Sequence, residues 1–296
     1  MSYKVKDKNE LIGIIKRCDI KNDYTEVENL DISAVDDITA LFIECDTLIK
    51  INLNKWDVSH ITDLSGLFYN CENLETVEIS EWNVSNVKNI NGLFSGCRNI
   101  KTLDISKWNV SNVVEMSCVF ARCSALVNLD ISKWNVSNVK DMSYLFEACR
   151  MLRDLDISKW NVSNVKYMCS MFSRCDSLRY LDIYDWNVSN VEDMNFMFSE
   201  CSELRLLDLS KWDVSKVEGN VHMFYGCETL HYLNLSNWNL FNANGRTIIL
   251  TYSDIFRKTI NLNRIVLLNF IMPQRFYKYM DSNYINAIDT LLFTLD

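Results

Sequence analysis

Eleven cysteines, three histidines and a file of evenly spaced carboxylates are the residues of this 296-residue chain that could do chemistry. Eight of the cysteines recur every 26 residues: Cys45, Cys71, Cys97, Cys123, Cys149, Cys175, Cys201 and Cys227. Thiols at such spacing could form a disulfide framework, hold a soft metal or act as nucleophiles. Zinc chemistry needs clustered Cys and His ligands, yet His60, His222 and His231 are scattered. Asp104, Asp130, Asp156, Asp182 and Asp208 share the same interval, with Glu78 before them and Asn52 and Asn234 at the ends. Calcium takes about six to eight oxygens in a wrapped geometry, which an open file of carboxylates offers poorly. A nucleotide-binding glycine loop is absent, and the chain has only seven glycines. No catalytic residue, cofactor or metal is therefore expected.

The interval itself is the stronger signal. All eight tryptophans obey it: Trp56, Trp82, Trp108, Trp134, Trp160, Trp186, Trp212 and Trp238. Strict self-similarity of this kind marks stacked structural repeats. In the unit from Trp134, the apolar slots are Val136, Val139, Met142, Leu145, Phe146, Cys149, Leu152, Leu155 and Ile157. Leu155 and Ile157 alternate with polar residues, as a strand with one buried face requires. Asn and Ser after the tryptophan bond locally to the backbone and turn the chain. Residues 142–149 are apolar at helix-like spacing, which predicts a short helix or 3₁₀ turn. A degenerate unit starts at Leu30, and a last one from Trp238 fits if six residues are inserted before Phe256.

These features predict an α/β repeat: a leucine-rich-repeat solenoid of about nine 26-residue units over residues 30–269, with one parallel sheet. Residues 1–29 are expected to form a helical N-terminal cap. Asp7 and Glu10 stand at capping-box spacing before Leu11, Ile14, Ile15 and Cys18, which share one helix face. Residues 270–296, which carry the only proline, Pro273, are expected to form a C-terminal helical cap or tail.

The string Asp-Ile-Ser-Lys-Trp-Asn-Val-Ser-Asn-Val at 130–139, followed by Asp-Met-Ser-Tyr-Leu-Phe-Glu-Ala-Cys at 141–149, resembles BspA-like leucine-rich repeats. Those bacterial repeats are also known as a mycoplasma lipoprotein domain of unknown function. Residues 56–61 and 212–217 are especially near the family pattern. The resemblance implies surface proteins that adhere to host or neighbouring cells, without enzymatic activity. Many members begin with a secretion or lipoprotein signal. The N-terminus here has no long apolar run before a small-residue cleavage site, so a cytoplasmic location is expected, with the cell surface or secretion as the alternative.

Charge and cysteine placement narrow the partners. The net charge is −9 with no Lys/Arg block, which argues against nucleic acid. No segment is long and apolar enough to span a membrane. The repeated cysteine slot points inward, where Cys packs as a small apolar residue. With Cys18, Cys118 and Cys169 outside it and an odd total, reduced thiols are expected. The five Asn-Val-Ser sequons, at Asn83, Asn109, Asn135, Asn161 and Asn187, are expected to be turn residues.

A binding surface remains, on the expected concave strand face. Its acidic file, Asp104 to Asp208, should be relieved by Lys107, Lys133, Lys159, Lys211 and serines such as Ser132, or serve as a docking strip for a basic peptide. The neighbouring file breaks the repeat: Lys50, Thr76, Thr102, Asn128, Asp154, Tyr180, Leu206, Tyr232. Tyr184 replaces the usual Ser in its own file, and Arg153, Arg179 and Arg205 border the group. Aromatic residues rimmed by charge resemble interaction hot spots. The sequence thus predicts a monomeric, non-catalytic protein-binding scaffold using Tyr180, Tyr184, Leu206 and Tyr232. An exported adhesin, or an effector acting through the C-terminal segment, are its alternatives.

Overall fold

The computed structural model describes residues 3–236, Trp238 and the backbone of a strand at 264–266. It opens with β1 (Tyr3–Lys4), helix α1 (Lys8–Lys21), the 3₁₀ turn η1 (Val27–Asn29) and β2 (Leu30–Asp31). Asp7 caps α1 by accepting from the Glu10 N–H at 2.9 Å, and Glu10 reaches back to the Lys6 N–H at 2.7 Å. Leu11, Ile14, Ile15 and Cys18 lie buried in the same core as the repeats. The C-terminal segment expected at 270–296 lies outside the described residues.

From Leu30 the chain winds in 26-residue coils whose equivalent backbones pair in parallel. Strand pairs β3–β4 (Lys50–Asn52, Thr76–Glu78) and β5–β6 (Leu206–Asp208, Tyr232–Asn234) match residues 26 apart. β7 (Arg264–Val266) adds to β6 with Leu233 opposite Ile265, the register that a six-residue insertion requires. Between these pairs the row thins to single bridges, Thr102 to Asn128 to Asp154. The expected single sheet is thus, among the described residues, three short parallel sheets, with the Thr102–Asn128–Asp154 bridges lying between the second and the third. Only a few residues per coil are extended before the next turn begins, so no long strand forms.

A second ladder runs along the opposite edge of the coils, and the sequence did not announce it. Its bridges link Asp63, Asn89, Glu115, Asp141, Tyr167, Asp193 and Gly219 in unbroken succession. Here the expected short helix or 3₁₀ turn is replaced by separate tight turns, which keep the three-residue bonds of a 3₁₀ turn without forming a helix. In residues 142–149, alternate N–H groups serve different partners. Those of Leu145, Glu147 and Cys149 bond three residues back within the coil, at 3.1–3.2 Å. Those of Met142, Tyr144, Phe146 and Ala148 bond carbonyls of the next coil at 2.7–2.9 Å. An α-helix would consume every N–H within its own turn and leave none to join the coils. The price of the arrangement is two left-handed residues per coil, such as Tyr144 (φ 59°) and Ala148 (φ 58°). The apolar spacing of a helix and of consecutive tight turns is the same, which is why the pattern misled.

Inside, the phenylalanine slot becomes a continuous stack. Phenylalanine rings from Phe42 to Phe224 lie parallel within 10°, with centroids 5.1–6.1 Å apart. All eight indole N–H groups donate to a carbonyl 29 residues earlier, at 2.7–3.2 Å. No buried side-chain nitrogen or oxygen is left without a partner among the described residues. The sequon asparagines are turn residues, as expected: Asn83, Asn109, Asn135, Asn161 and Asn187 each accept from the N–H two residues on, at 3.1–3.2 Å.

Two predictions follow from backbone strain and from the tie between α1 and the first coil. Left-handed backbone costs an L-residue about 1 kcal/mol or more. Ala148→Gly should therefore raise stability by roughly 0.5–1 kcal/mol after glycine's own entropy is subtracted. Gly96→Ala should lower it, because Gly96 has φ 81° and a new Cβ would stand 3.0 Å from Asn70 Cα. Denaturation midpoints that shift in the same direction would contradict this. Separately, Asp19 accepts from Tyr24 Oη and Thr47 Oγ1, both at 2.6 Å. Partial burial opposes its charge, but the bonds from Thr47 and Tyr24 outweigh it and hold the carboxyl below its usual range. Stability from Asp19 is then present above the unfolded carboxyl's pKa and lost as pH falls through the lower folded value. Asp19→Asn should cost about 1–2 kcal/mol at neutral pH. That difference should shrink below about pH 4, as followed by thermal denaturation across pH.

Candidate binding surfaces of the solenoid

The acidic file lies on the strand edge as the alternation required, and the expected serines serve its charges while the expected lysine pairs do not form. Asp104, Asp130, Asp156 and Asp208 each accept from the hydroxyl of the serine two residues on, at 2.7–3.0 Å. The same serines offer their N–H groups at 3.0–3.5 Å. For Asp130, the Ser132 bonds hold the carboxyl below its usual range. At the ends, Asn52 donates to Glu78 and Asn234 to Asp208, at 2.6 and 3.1 Å. The lysines turn elsewhere: Lys107 pairs with Glu81 and Lys211 with Asp185. Among the described residues, no carboxylate of the file has a cation within ion-pair distance. Asp182 lacks even the serine, since Tyr184 stands in its place.

Beside that file, β5 and β6 set Leu206 opposite Tyr232. Tyr180 is one coil earlier, where the Arg205 N–H bonds the Arg179 carbonyl at 3.2 Å. Tyr180 is 53% exposed and Leu206 40%, while Tyr232 is half-buried. Tyr184 is engaged separately, with Lys211 Nζ 4.1 Å from its ring centre. Arg179 pairs with Glu203 at 3.6 Å. The structure therefore brings Tyr180, Leu206 and Tyr232 into one file next to Asp182 and Asp208, and leaves Tyr184 under its lysine.

Sequence reasoning missed a second surface, on the turn edge. A groove of about 340 Å³ is lined there by residues including Tyr144, Arg174, Phe196, Glu200, His222 and Tyr225. Phe196 and His222 stand 5.4 Å apart, centre to centre. The signal was present in the register. The file Ala40, Gly66, Gly92, Cys118, Tyr144, Ser170, Phe196, His222 changes from small to aromatic residues along the chain.

The thiols carry no reactive site. All eleven are free, and in the repeated slot Cys71 to Cys227 donate to the phenylalanine carbonyl 29 residues earlier at 2.8–3.1 Å. Burial pushes Cys45 up to about 11 and Cys123 and Cys227 up to about 12, so they remain protonated and inert. Among the described residues, no group of His, Cys, Asp or Glu side chains is placed to hold a metal ion.

Coils of one length, paired in parallel and filled by leucine, isoleucine and phenylalanine stacks, define a leucine-rich-repeat solenoid. The chain belongs to the family described as "Mycoplasma protein of unknown function, DUF285", which matches residues 10–101, 36–155 and 145–264. None of the curated proteins matches it. Among solved structures, it is similar to a leucine-rich cell surface protein from Faecalibacterium prausnitzii. That match has 14% identity and a TM-score of 0.42, over 86% of this chain and 69% of the other. An internalin from Listeria monocytogenes shares 13% identity over 85% of this chain and 77% of its own, with a TM-score of 0.29. A leucine-rich-repeat protein from Leptospira interrogans shares 12% over 91% and 88%, with a TM-score of 0.22.

Alkylation kinetics test the thiol assignment. Only the half-buried Cys118 and Cys169 should react in the native protein at about pH 8, Cys118 slowly because burial raises its thiol above the ordinary value, and all eleven after denaturation. Fast native labelling of any of the eight repeated cysteines would show that the ladder opens or is misplaced.

Proposed function

We propose that this protein is a non-catalytic scaffold that binds another protein through the strand edge of its C-terminal coils. The observation that carries this reading is the file of exposed Tyr180 and Leu206 and half-buried Tyr232, beside carboxylates that form no ion pair among the described residues. A repeat protein gains nothing for its core from Tyr180 or Leu206, which point away from the buried stacks. Exposed apolar side chains rimmed by charge provide both desolvation energy and orientation for a partner. Tyr184 belongs to the rim rather than the centre, because Lys211 already covers its ring. Asp104, Asp130 and Asp156 extend the acidic border toward the N-terminal coils and favour a partner with basic groups.

No helix among the described residues is long and apolar enough to cross a membrane. The effector alternative, placed in the C-terminal segment, falls outside the described residues and has no support from them. Membership of a family that resembles bacterial surface proteins supports binding over catalysis.

Affinity capture from host-cell and own-cell lysates tests the reading, comparing the wild type with a Tyr180→Ala, Leu206→Ala, Tyr232→Ala triple variant. Two of the three side chains are exposed, so the variant should keep a thermal midpoint close to that of the wild type. A protein retained by the wild type and lost by the variant is the expected result. Identical capture by both would remove the strand edge from consideration.

A further inference from the structure

We infer that the groove on the turn edge is a binding site for a neutral oligosaccharide. It lies on the opposite edge of the coils from the Tyr180 file and stands independently of the protein-binding reading. Its most informative feature is the backbone. Tyr144, Phe196 and His222 occupy left-handed positions, at φ 59°, 58° and 55°, where earlier coils carry Ala40, Gly66, Gly92 and Cys118. Tyr144 and Phe196 are outliers in that region, which histidine enters more readily, and strain of this kind concentrates at functional sites. Tyr144 and Phe196 remain 42% and 39% exposed, so burial offsets little of the strain. Ser170 falls between them in register and is buried at 7% exposure, so it forms the floor of the groove between two aromatic side chains two coils apart, roughly 10 Å at a parallel-strand spacing.

The charges of the groove identify the ligand class. Arg174 Nε binds Glu200 Oε2 at 3.0 Å within the groove, and Glu147 Oε2 is faced at 3.5 Å by Arg122 Nε from outside it. Paired in this way, they give a charged ligand no uncompensated partner. A purely apolar side chain would desolvate the carboxylates and guanidinium without replacing their hydrogen bonds to water. A pyranose ring answers both demands: its C–H face lies against an aromatic ring, and its hydroxyls both donate and accept. The volume of about 340 Å³ is at the lower end of the roughly 300–1,000 Å³ found for small-ligand sites.

The test is an array of immobilised neutral oligosaccharides, anionic oligosaccharides and peptides, followed by calorimetric titration with the strongest neutral binder. The variants are Tyr144→Gly and Phe196→Gly. Glycine suits the left-handed backbone, so each variant should keep or raise the thermal midpoint while binding about tenfold more weakly. A Tyr180→Ala, Leu206→Ala variant should bind the sugar as the wild type does. Retention of only anionic glycans or only peptides, or of nothing, overturns the proposal. So does wild-type affinity in both glycine variants, or a midpoint lowered by both, which would make the rings packing elements.

Discussion

The structure depends on side-chain donors that reach from one coil into the backbone of the coil before it. Turning the chain every few residues leaves carbonyls pointing into the core with no strand or helix to satisfy them. An orphaned buried carbonyl costs about 1–3 kcal/mol. Tryptophan and cysteine remove that cost in different ways. The indole of Trp134 donates to the Ile105 carbonyl at 3.2 Å, and the thiol of Cys149 to the Phe120 carbonyl at 3.0 Å. Both donors act over 29 residues, one coil plus three. Coil length and donor position are therefore locked together. Adding one residue between Trp134 and Cys149 would withdraw the thiol from its carbonyl and rotate the phenylalanine out of its stack. The six-residue insertion in the last unit falls after Trp238, where the register of β7 on β6 is still kept.

That lock explains why so much of the fold could be read from the sequence. A 26-residue period with a fixed Trp, Phe and Cys has few structural solutions besides a solenoid, and the inward slots such as Val136, Leu145 and Ile157 are all buried. Asp7 and Glu10 announced α1 because capping is local chemistry. The turn edge was not legible, since Met142, Leu145, Phe146 and Cys149 are spaced alike for a helix and for successive left-handed turns. Only the hydrogen-bond demand of the neighbouring coil decides between them, and that demand is non-local. The same blindness affected the charges. Lys107 is one residue from Ser106, yet it pairs with Glu81 of the preceding coil, and Ser106 rather than lysine serves Asp104.

The candidate sites divide along the same line. Tyr180, Leu206 and Tyr232 were visible because strand alternation assigns each residue a face, so an apolar side chain on the solvent face is an exception by inspection. Tyr144 and Phe196 were hidden because a turn assigns no such face until its dihedral angles are known. In both files the large apolar or aromatic residues gather in the later coils, while the earlier coils carry polar residues on the strand edge and small residues on the turn edge. Stacking alone gives no reason for that asymmetry, because each interior coil meets equivalent neighbours on both sides.

Two exposed edges built from one repeat also differ in what a substitution costs the fold. On the strand edge, backbone geometry is the same for tyrosine and threonine, so aromatic residues are accepted there without strain. On the turn edge, an aromatic residue replaces glycine or alanine in left-handed backbone, and the coil must absorb that strain. Strain without burial does not help a repeat stack on its neighbour. A turn edge that carries Tyr144 and Phe196 on either side of Ser170 therefore holds two residues whose backbone folding disfavours, which points to their use in recognition rather than in holding the coils together.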